Sequence, residues 1–164
     1  MDEIFHRTSI RSFHDKEIES EKIVKMLQAA MAAPSAGNQQ PWEFYVVTNK
    51  TLLEMLSTTT PYATPVAVAP LAFVACTRTN CRMPELAYVD MGCALENLLL
   101  EADHLDLGAV ILGVAPHADN MAKVAELMDI PSSLQPFAIV AVGYPTAVHA
   151  QENRFDEARI HYID

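Results

Sequence analysis

Glycine is scarce in this chain, with only five glycines among 164 residues. Neither the G-x-G-x-x-G pattern of dinucleotide-binding turns nor the P-loop pattern occurs, because Gly108 and Gly113 stand apart from other glycines at those spacings. A G-x-S-x-G motif for acyl transfer is also missing. The sequence therefore excludes the nucleotide sites and the hydrolase site that depend on these glycine spacings.

Metal-binding and disulfide patterns are missing as well. The three cysteines (Cys76, Cys81 and Cys93) form an odd set without a C-x-x-C pair. The six histidines are scattered and never stand four residues apart. We expect reduced thiols in a cytoplasmic protein and no metal site.

No apolar run approaches the roughly 18 to 20 residues that cross a bilayer. The start of the chain has no basic region followed by an apolar stretch, so we expect no secretory signal.

The formal charge of −10 disfavours nucleic acid and anionic membranes as partners. Against this background, arginines occur in two short stretches, Arg7 with Arg11 and Arg154 with Arg159. They indicate either a specific anion site or a solvated basic surface.

Hydrophobic residues make up 51% of the chain, and no repeat or linker interrupts it, so residues 1–164 are interpreted as a single domain. Apolar spacing and turn residues predict interleaved helices and strands, which places the fold in the mixed α and β class. Ser20 is the predicted N-cap of the first helix. The predicted helices are Ser20 to Met31, Leu52 to Leu56, Pro84 to Leu105 and Asn120 to Met128, and the predicted strands are Glu43 to Thr48, Pro70 to Cys76, Ala109 to Val114 and Pro136 to Val142.

Two segments indicate a surface beyond the chain's own core. The helix predicted at Pro84 to Leu105 is apolar nearly all round, which favours burial of one side by a second subunit. The alternative is a central helix wrapped by its own chain. The tail from Pro145 to Asp164 has no helical period but contains large apolar side chains, which is typical of an extended arm that packs on another surface.

The segment from Arg7 to Arg11 is the first candidate site. If it is extended, Arg7, Ser9 and Arg11 project to one side and Ile10 projects to the core. Two guanidinium groups that flank a hydroxyl group bind a phosphate well. A plain surface strand is the alternative interpretation.

Five stretches in this order resemble the nitroreductase family of flavin enzymes, and together they cover nearly the whole chain. The last of them combines two short motifs near the C-terminus. The stretches are residues 7–13 (RTSIRSF), 33–44 (APSAGNQQPWEF), 90–102 (DMGCALENLLLEA), 107–113 (LGAVILG), and 142–145 (VGYP) with 153–157 (NRFDE).

The resemblance implies an α+β fold, an α/β/α sandwich around a small mixed or antiparallel sheet. It further implies a homodimer that packs through long central helices, with each C-terminal arm embracing the partner. The FMN sites would then lie at the subunit interface, so that each site draws on both chains. The predicted helix that is apolar nearly all round and the predicted extended tail both fit this arrangement.

The resemblance also implies the FMN-binding residues. Arg7 and Ser9, with Thr8 between them, match ligands of the FMN phosphate, and Arg154 joins them from the tail. Arg11 matches a basic position beside the N1–O2 edge of the flavin, where positive charge favours the reduced form. Further positions match the loop that reaches the flavin from the other subunit and a turn whose backbone N–H groups meet N5 and O4. These are Pro34, Ser35 and Asn38 for the loop, and Leu112 and Gly113 for the turn.

The implied activity is hydride transfer from NADH or NADPH through flavin N5 to a small acceptor of the nitroaromatic or quinone type. No protein side chain is assigned as catalytic, because the cofactor carries the chemistry. The chain has no room for the helical insertion that covers the flavin in larger members, so either the pocket is open or a loop such as Thr58 to Pro65 covers it. No lysine occurs between Thr64 and Pro70, where some relatives carry one near the flavin.

Two other functions fit the same residues. One is a module that binds a flavin without turning over NAD(P)H. The other is an enzyme on the same scaffold that fragments reduced flavin or removes halide from an aromatic compound. Flavin reduction by a nicotinamide donor separates the first from an oxidoreductase, and product analysis separates the second.

Overall fold

Helices and strands interleave along the part of the chain that the structure, a computed structural model, describes: residues 3–147, 150–151 and 153–163. The α-helices are α1 (Glu3–His6), α2 (Ser20–Met31), α3 (Lys50–Leu56), α4 (Ala87–His104) and α5 (Ala118–Leu127). The strands are β1 (Trp42–Val47), β2 (Leu71–Arg78), β3 (Gly108–Gly113) and β4 (Leu134–Gly143). Short 3-10 turns occur at Ala36–Asn38, Thr64–Val68, Pro84–Leu86 and Glu157–Arg159.

The strands form one four-stranded antiparallel sheet in the order β1-β2-β4-β3. β2 and β4 occupy the centre, where both faces are covered, and this explains why their sequences are apolar without alternation. β1 and β3 are the edge strands. A register shift between Ala75 and Cys76 marks a bulge in the pairing of β2 with β4.

Alternate residues of β2 enter two separate hydrophobic cores, one on each face of the sheet. Leu71, Phe73 and Ala75 lie in the core that includes residues of α2 and α4. Ala72 and Val74 lie in the core that includes residues of α3 and α5. The sheet is therefore sandwiched between helices, which confirms the predicted α+β fold with an α/β/α sandwich.

The structure confirms every predicted helix and strand to within three residues at each end. Ser20 was wrongly predicted as an N-cap: Glu19 occupies that position, and no side chain caps the helix. Pro84 begins a 3-10 turn rather than α4 itself. Helix α1 was not predicted, because its four residues are too few to show a period.

One side of α4 is buried by the chain itself, through residues such as Met91, Leu95 and Leu98. The opposite side is open: Val89 is 62% exposed, and Cys93 and Glu96 are also exposed. The apolar residues that the sequence places all round this helix are thus only partly covered. Burial of the open side by a second subunit stays a prediction.

The C-terminal tail first contacts the N-terminal residues of the chain and then continues along the surface. Pro145 forms a bridge with Phe13, and the Gln151 side-chain amide donates a hydrogen bond to the Ile4 backbone oxygen at 2.9 Å. Beyond this point large side chains are open to solvent, with Phe155 73% and Tyr162 82% exposed. Packing of this arm on a partner remains a prediction.

Among the described residues, no helix has the length and apolar character needed to cross a membrane.

Candidate functional site

Ser9 and Ile10, between Arg7 and Arg11, lie along the outer edge of β3, whereas the Arg7 N–H donates to the Glu3 oxygen at 2.8 Å at the end of α1, so Arg7 is not part of the extended segment. Ser9 forms a parallel bridge with Ala109, and the Ile10 N–H donates to the Ala109 oxygen at 3.1 Å. Ile10 is buried, whereas Ser9 and Arg11 are exposed, as an extended segment predicts. Gly108 allows this contact, because a Cβ atom there would lie 2.7 Å from the Ile10 side chain.

The Arg7 guanidinium is held in a position where it lacks a full set of partners. Its Nε atom lies 3.4 Å from Glu96 Oε1 on α4. This atom is buried, and it makes no hydrogen bond with the described part of the chain. The Glu96 carboxylate therefore balances the guanidinium charge without forming a well-aligned hydrogen bond to Nε. The contact of Arg7 with a phosphate stays a prediction.

Helix α1 places Arg7 through reciprocal contacts with the end of α4. His6 Nδ1 lies 2.8 Å from Asp103 Oδ2, and His104 Nδ1 lies 2.8 Å from Glu3 Oε1. The hydrogen bond and negative charge of Asp103 raise the pKa of His6. Because these groups are partly exposed, the pairs fix the direction of α1 more than they stabilise the fold.

The C-terminal tail brings Arg154 to the same region. Gln151 donates a hydrogen bond to the Arg7 backbone oxygen at 3.1 Å. Arg154 then lines a shallow cleft together with Ile4 and Phe5 of α1. Arg7 and Arg154 come from opposite ends of the chain, and the structure places both beside α1. Arg11 is directed back along its own segment, since its Nη1 donates to the Ser9 oxygen at 3.2 Å.

The loop that contains Pro34, Ser35 and Asn38 lies elsewhere, between α2 and β1. Pro34 and Asn38 are exposed, and Asn38 has a φ of 55°. Ser35 Oγ accepts a hydrogen bond from the Gln40 N–H at 3.0 Å, which leaves its own O–H free to donate. This loop packs near the start of α4, whereas Arg7 contacts Glu96 about 9 Å further along the same helix.

Leu112 and Gly113 form the end of strand β3 rather than a turn. The Ala109 oxygen accepts from the N-terminal segment, whereas the Val114 N–H donates toward β4 at 3.2 Å. Because backbone groups alternate sides along a strand, the Leu112 N–H points to β4 and the Gly113 N–H points outward. Of the two, only Gly113 offers a backbone donor at the free edge, and the Leu112 side chain is buried.

The sequence interpretation missed Asp90, which is only 4% exposed and lies in the first turn of α4. It also missed Gln39, which contacts Asp90. An acidic residue between two large apolar ones, Val89 and Met91, is the signal that marks such a position, since a buried carboxylate needs hydrogen-bond donors around it.

Comparisons with known proteins identify the family of this chain. The sequence matches the nitroreductase family over residues 4–78 and 60–144. A protein of Archaeoglobus fulgidus, provisionally named an NADH dehydrogenase/NAD(P)H nitroreductase, is 39% identical in an alignment of 163 residues that covers 96% of this chain and 94% of the relative.

Solved structures share the fold over nearly the whole chain. A crystal structure from Clostridium acetobutylicum, provisionally called an NADH oxidase, has a TM-score of 0.95 and 44% identity and covers 98% of both chains. A provisionally assigned nitroreductase from Desulfovibrio desulfuricans, solved with FMN, has a TM-score of 0.84 and 27% identity, with 99% of this chain and 95% of that chain covered. The predicted family is thus confirmed by sequence and by fold, and this chain belongs to the nitroreductase family.

Proposed function

We propose that this protein is an FMN-dependent oxidoreductase that transfers hydride from NADH or NADPH to a small acceptor of the nitroaromatic or quinone type. The observation that carries the proposal is the placement of Arg7 and Arg154, from opposite ends of the chain, beside the same helix α1. Relatives named NAD(P)H nitroreductase and FMN reductase support the donor and the cofactor. Bound FMN would supply the two-electron hydride chemistry at N5.

Arg7, Thr8, Ser9 and Arg154 hold the FMN phosphate in this proposal. The Arg7 guanidinium offers a rigid set of donors, and Ser9, two residues further along the chain, is exposed. Arg11 lies two residues further along the same segment, where its positive charge stabilises negative charge on the flavin pyrimidine. Residues 64–70 contain no lysine that could assist it, so in this proposal Arg11 is the residue that supplies the positive charge beside the pyrimidine.

The remaining contacts come from backbone and loop groups. The outward N–H of Gly113 is the donor toward the flavin ring, and Leu112 fixes the strand through its buried side chain. Pro34, Ser35 and Asn38 reach the flavin of the partner subunit, because their loop lies away from Arg7 along α4. Both subunits then contribute to each site, with flavin at the interface of a homodimer.

The open side of α4 is the proposed dimer surface. It presents Val89, Cys93 and Glu96 along one face of the helix, with the partly buried Leu100 one turn beyond. An exposed apolar side on a helix that is otherwise central is typical of a subunit contact. The extended tail, with Phe155 and Tyr162 exposed, covers further surface of the partner.

Thiol labelling tests this surface, because Cys93 lies on it. In the dimer we expect Cys93 to react slowly with iodoacetamide, and dilution below the dissociation concentration should expose it. Cys76 should stay unreactive throughout, since burial raises the pKa of its thiol to about 12. Mass spectrometry of labelled peptides reads each site separately. Fast labelling of Cys93 in a sample that light scattering shows to be dimeric would place the interface elsewhere.

The acceptor pocket in this proposal is open. Thr59 and Ala63, in the loop considered as a cover, are buried, and Ala63 belongs to the core of α3 and α5. That core lies on the face of the sheet opposite α4, so the loop belongs to the opposite layer. An open pocket favours small planar acceptors without strong selectivity.

Absorbance spectroscopy of the purified protein tests the function directly. With FMN bound, anaerobic NADH or NADPH should bleach the flavin band, and a quinone or nitroaromatic compound should restore it. A flavin band that neither donor bleaches would indicate a binding module instead. A protein that acquires no flavin band when FMN is added would overturn the proposal. Product analysis would reveal flavin fragmentation or dehalogenation.

A further inference from the structure

A buried carboxylate joins the loop of residues 34–41 to α4. Asp90 Oδ1 accepts a hydrogen bond from the Ala36 N–H at 2.9 Å, and Oδ2 accepts one from Gln39 Nε2 at 2.7 Å. Within the described ranges 3–147, 150–151 and 153–163, no Lys, Arg or His pairs with this carboxylate. Its charge is balanced by these donors and by the positive end of the α4 dipole.

The orientation of the Gln39 amide follows from its backbone partners. Its Oε1 accepts from the Met83 N–H at 2.8 Å, and its Nε2 donates to the Met83 oxygen at 3.0 Å. Because a backbone N–H can only donate and a carbonyl can only accept, the amide has one satisfied orientation. The second Nε2 hydrogen then points at Asp90. Gln39 thus connects three segments: its own loop, the residues before α4, and α4.

These contacts hold a backbone that is otherwise unfavourable. Gly37, Asn38 and Gln40 have φ values of 55°, 55° and 47°, in the left-handed region. For non-glycine residues this conformation costs about 1 kcal/mol or more each. Such a loop persists only when surrounding contacts determine it, and Asp90 supplies two of the hydrogen bonds. Asn38, exposed at the tip, makes no comparable side-chain contact to α4 in the described structure.

We propose that Asp90 and Gln39 are positioning residues that set the geometry of this loop and so present Ser35 and Asn38 to the flavin. The inference rests on the proposed function for the identity of the ligand, and on the hydrogen bonds above for the positioning. Because α4 is also the proposed dimer helix, the pair links the flavin-facing loop to the subunit contact. Neither residue needs to touch the flavin.

The substitution Gln39→Glu tests the pair because it replaces the side-chain amide with a carboxyl group of nearly the same shape. When ionised, the introduced carboxylate would face the Asp90 carboxylate and the Met83 oxygen without a proton to donate. Repulsion between the two carboxylates raises the pKa of the introduced group, and its protonated form, which has a single O–H, restores the hydrogen bond to Asp90 but not the one to the Met83 oxygen. The ordered loop should therefore be retained at low pH and lost as the pH rises through that raised pKa. The matched control is Gln135→Glu, at an exposed position of β4.

The first measurement is hydrogen exchange of the loop amides in protein without FMN. In Gln39→Glu, exchange at Ala36 and Gln40, once corrected for intrinsic exchange, should be much slower at about pH 5 than at about pH 9. Wild-type protein and Gln135→Glu should show no such transition. Unchanged protection in Gln39→Glu across this range would overturn the positioning role, whatever the protein binds.

The second measurement is FMN affinity of the same proteins over the same pH range, with each value divided by that of wild type. We expect FMN binding by Gln39→Glu to weaken about tenfold or more at high pH and to recover at low pH. A wild type without FMN binding would overturn the proposed function but not the loop result. FMN binding by wild type and an equal affinity in Gln39→Glu at all pH values would overturn the inference alone.

Discussion

Replacing Arg7 with alanine should weaken FMN binding by about 10- to 150-fold, which corresponds to the roughly 1.5–3 kcal/mol of a charge-assisted hydrogen bond. The guanidinium already lies beside Glu96, with Nε 3.4 Å from Oε1, so its position is set before FMN arrives. Removing it also leaves Glu96 without its ion-pair partner, so negative charge near the phosphate is no longer neutralised. Fluorescence titration of the apoprotein with FMN measures the change.

Two variants control this measurement. Arg7→Lys keeps the charge but loses the planar set of donors, so its affinity should lie between those of wild type and Arg7→Ala. Lys123→Ala removes an equal charge from an exposed position of α5 and should leave FMN affinity unchanged. An Arg7→Ala protein that binds FMN as tightly as wild type would exclude Arg7 as a phosphate ligand.

Replacing Phe73 with alanine should lower the free energy of unfolding by about 3–5 kcal/mol. Phe73 lies in the central strand β2, is completely buried, and belongs to the core between the sheet and the helices α2 and α4. Its neighbours across the sheet are Val46 on β1 and Val140 on β4. Strands on both sides prevent collapse around the missing ring, so a cavity remains.

Thermal unfolding of the apoprotein at one fixed concentration checks this prediction, because bound FMN and dimerisation would both shift the midpoint. At about 2–4 °C per kcal/mol for a domain of this size, the midpoint should fall by about 6–20 °C. Tyr62→Ala, at a ring that is 63% exposed, should change the midpoint by little. A Phe73→Ala midpoint close to that of Tyr62→Ala would show that the core repacks without a cavity.

Local pattern was enough to predict the class of the fold and most of its elements. The period of Ser20–Met31 and the continuous apolar run of β2 depend on neighbours along the chain, so they can be recognised without the fold. The exact start of α2 was less predictable: the pattern predicted Ser20 as the N-cap, but Glu19 occupies that position. The order of the motifs likewise indicated the family, which the comparisons confirm.

By itself, then, the sequence determined that this is an α+β protein of the nitroreductase family with arginines suited to a phosphate. Tertiary structure decided which groups meet: Arg7 with Glu96, the tail with α1, and Asp90 with Gln39. It also decided that the Gly113 N–H faces outward while the Leu112 N–H is used within the sheet. These contacts join residues far apart in the chain or depend on strand register, and no local period carries that information, because it arises only when the sheet and α4 pack together.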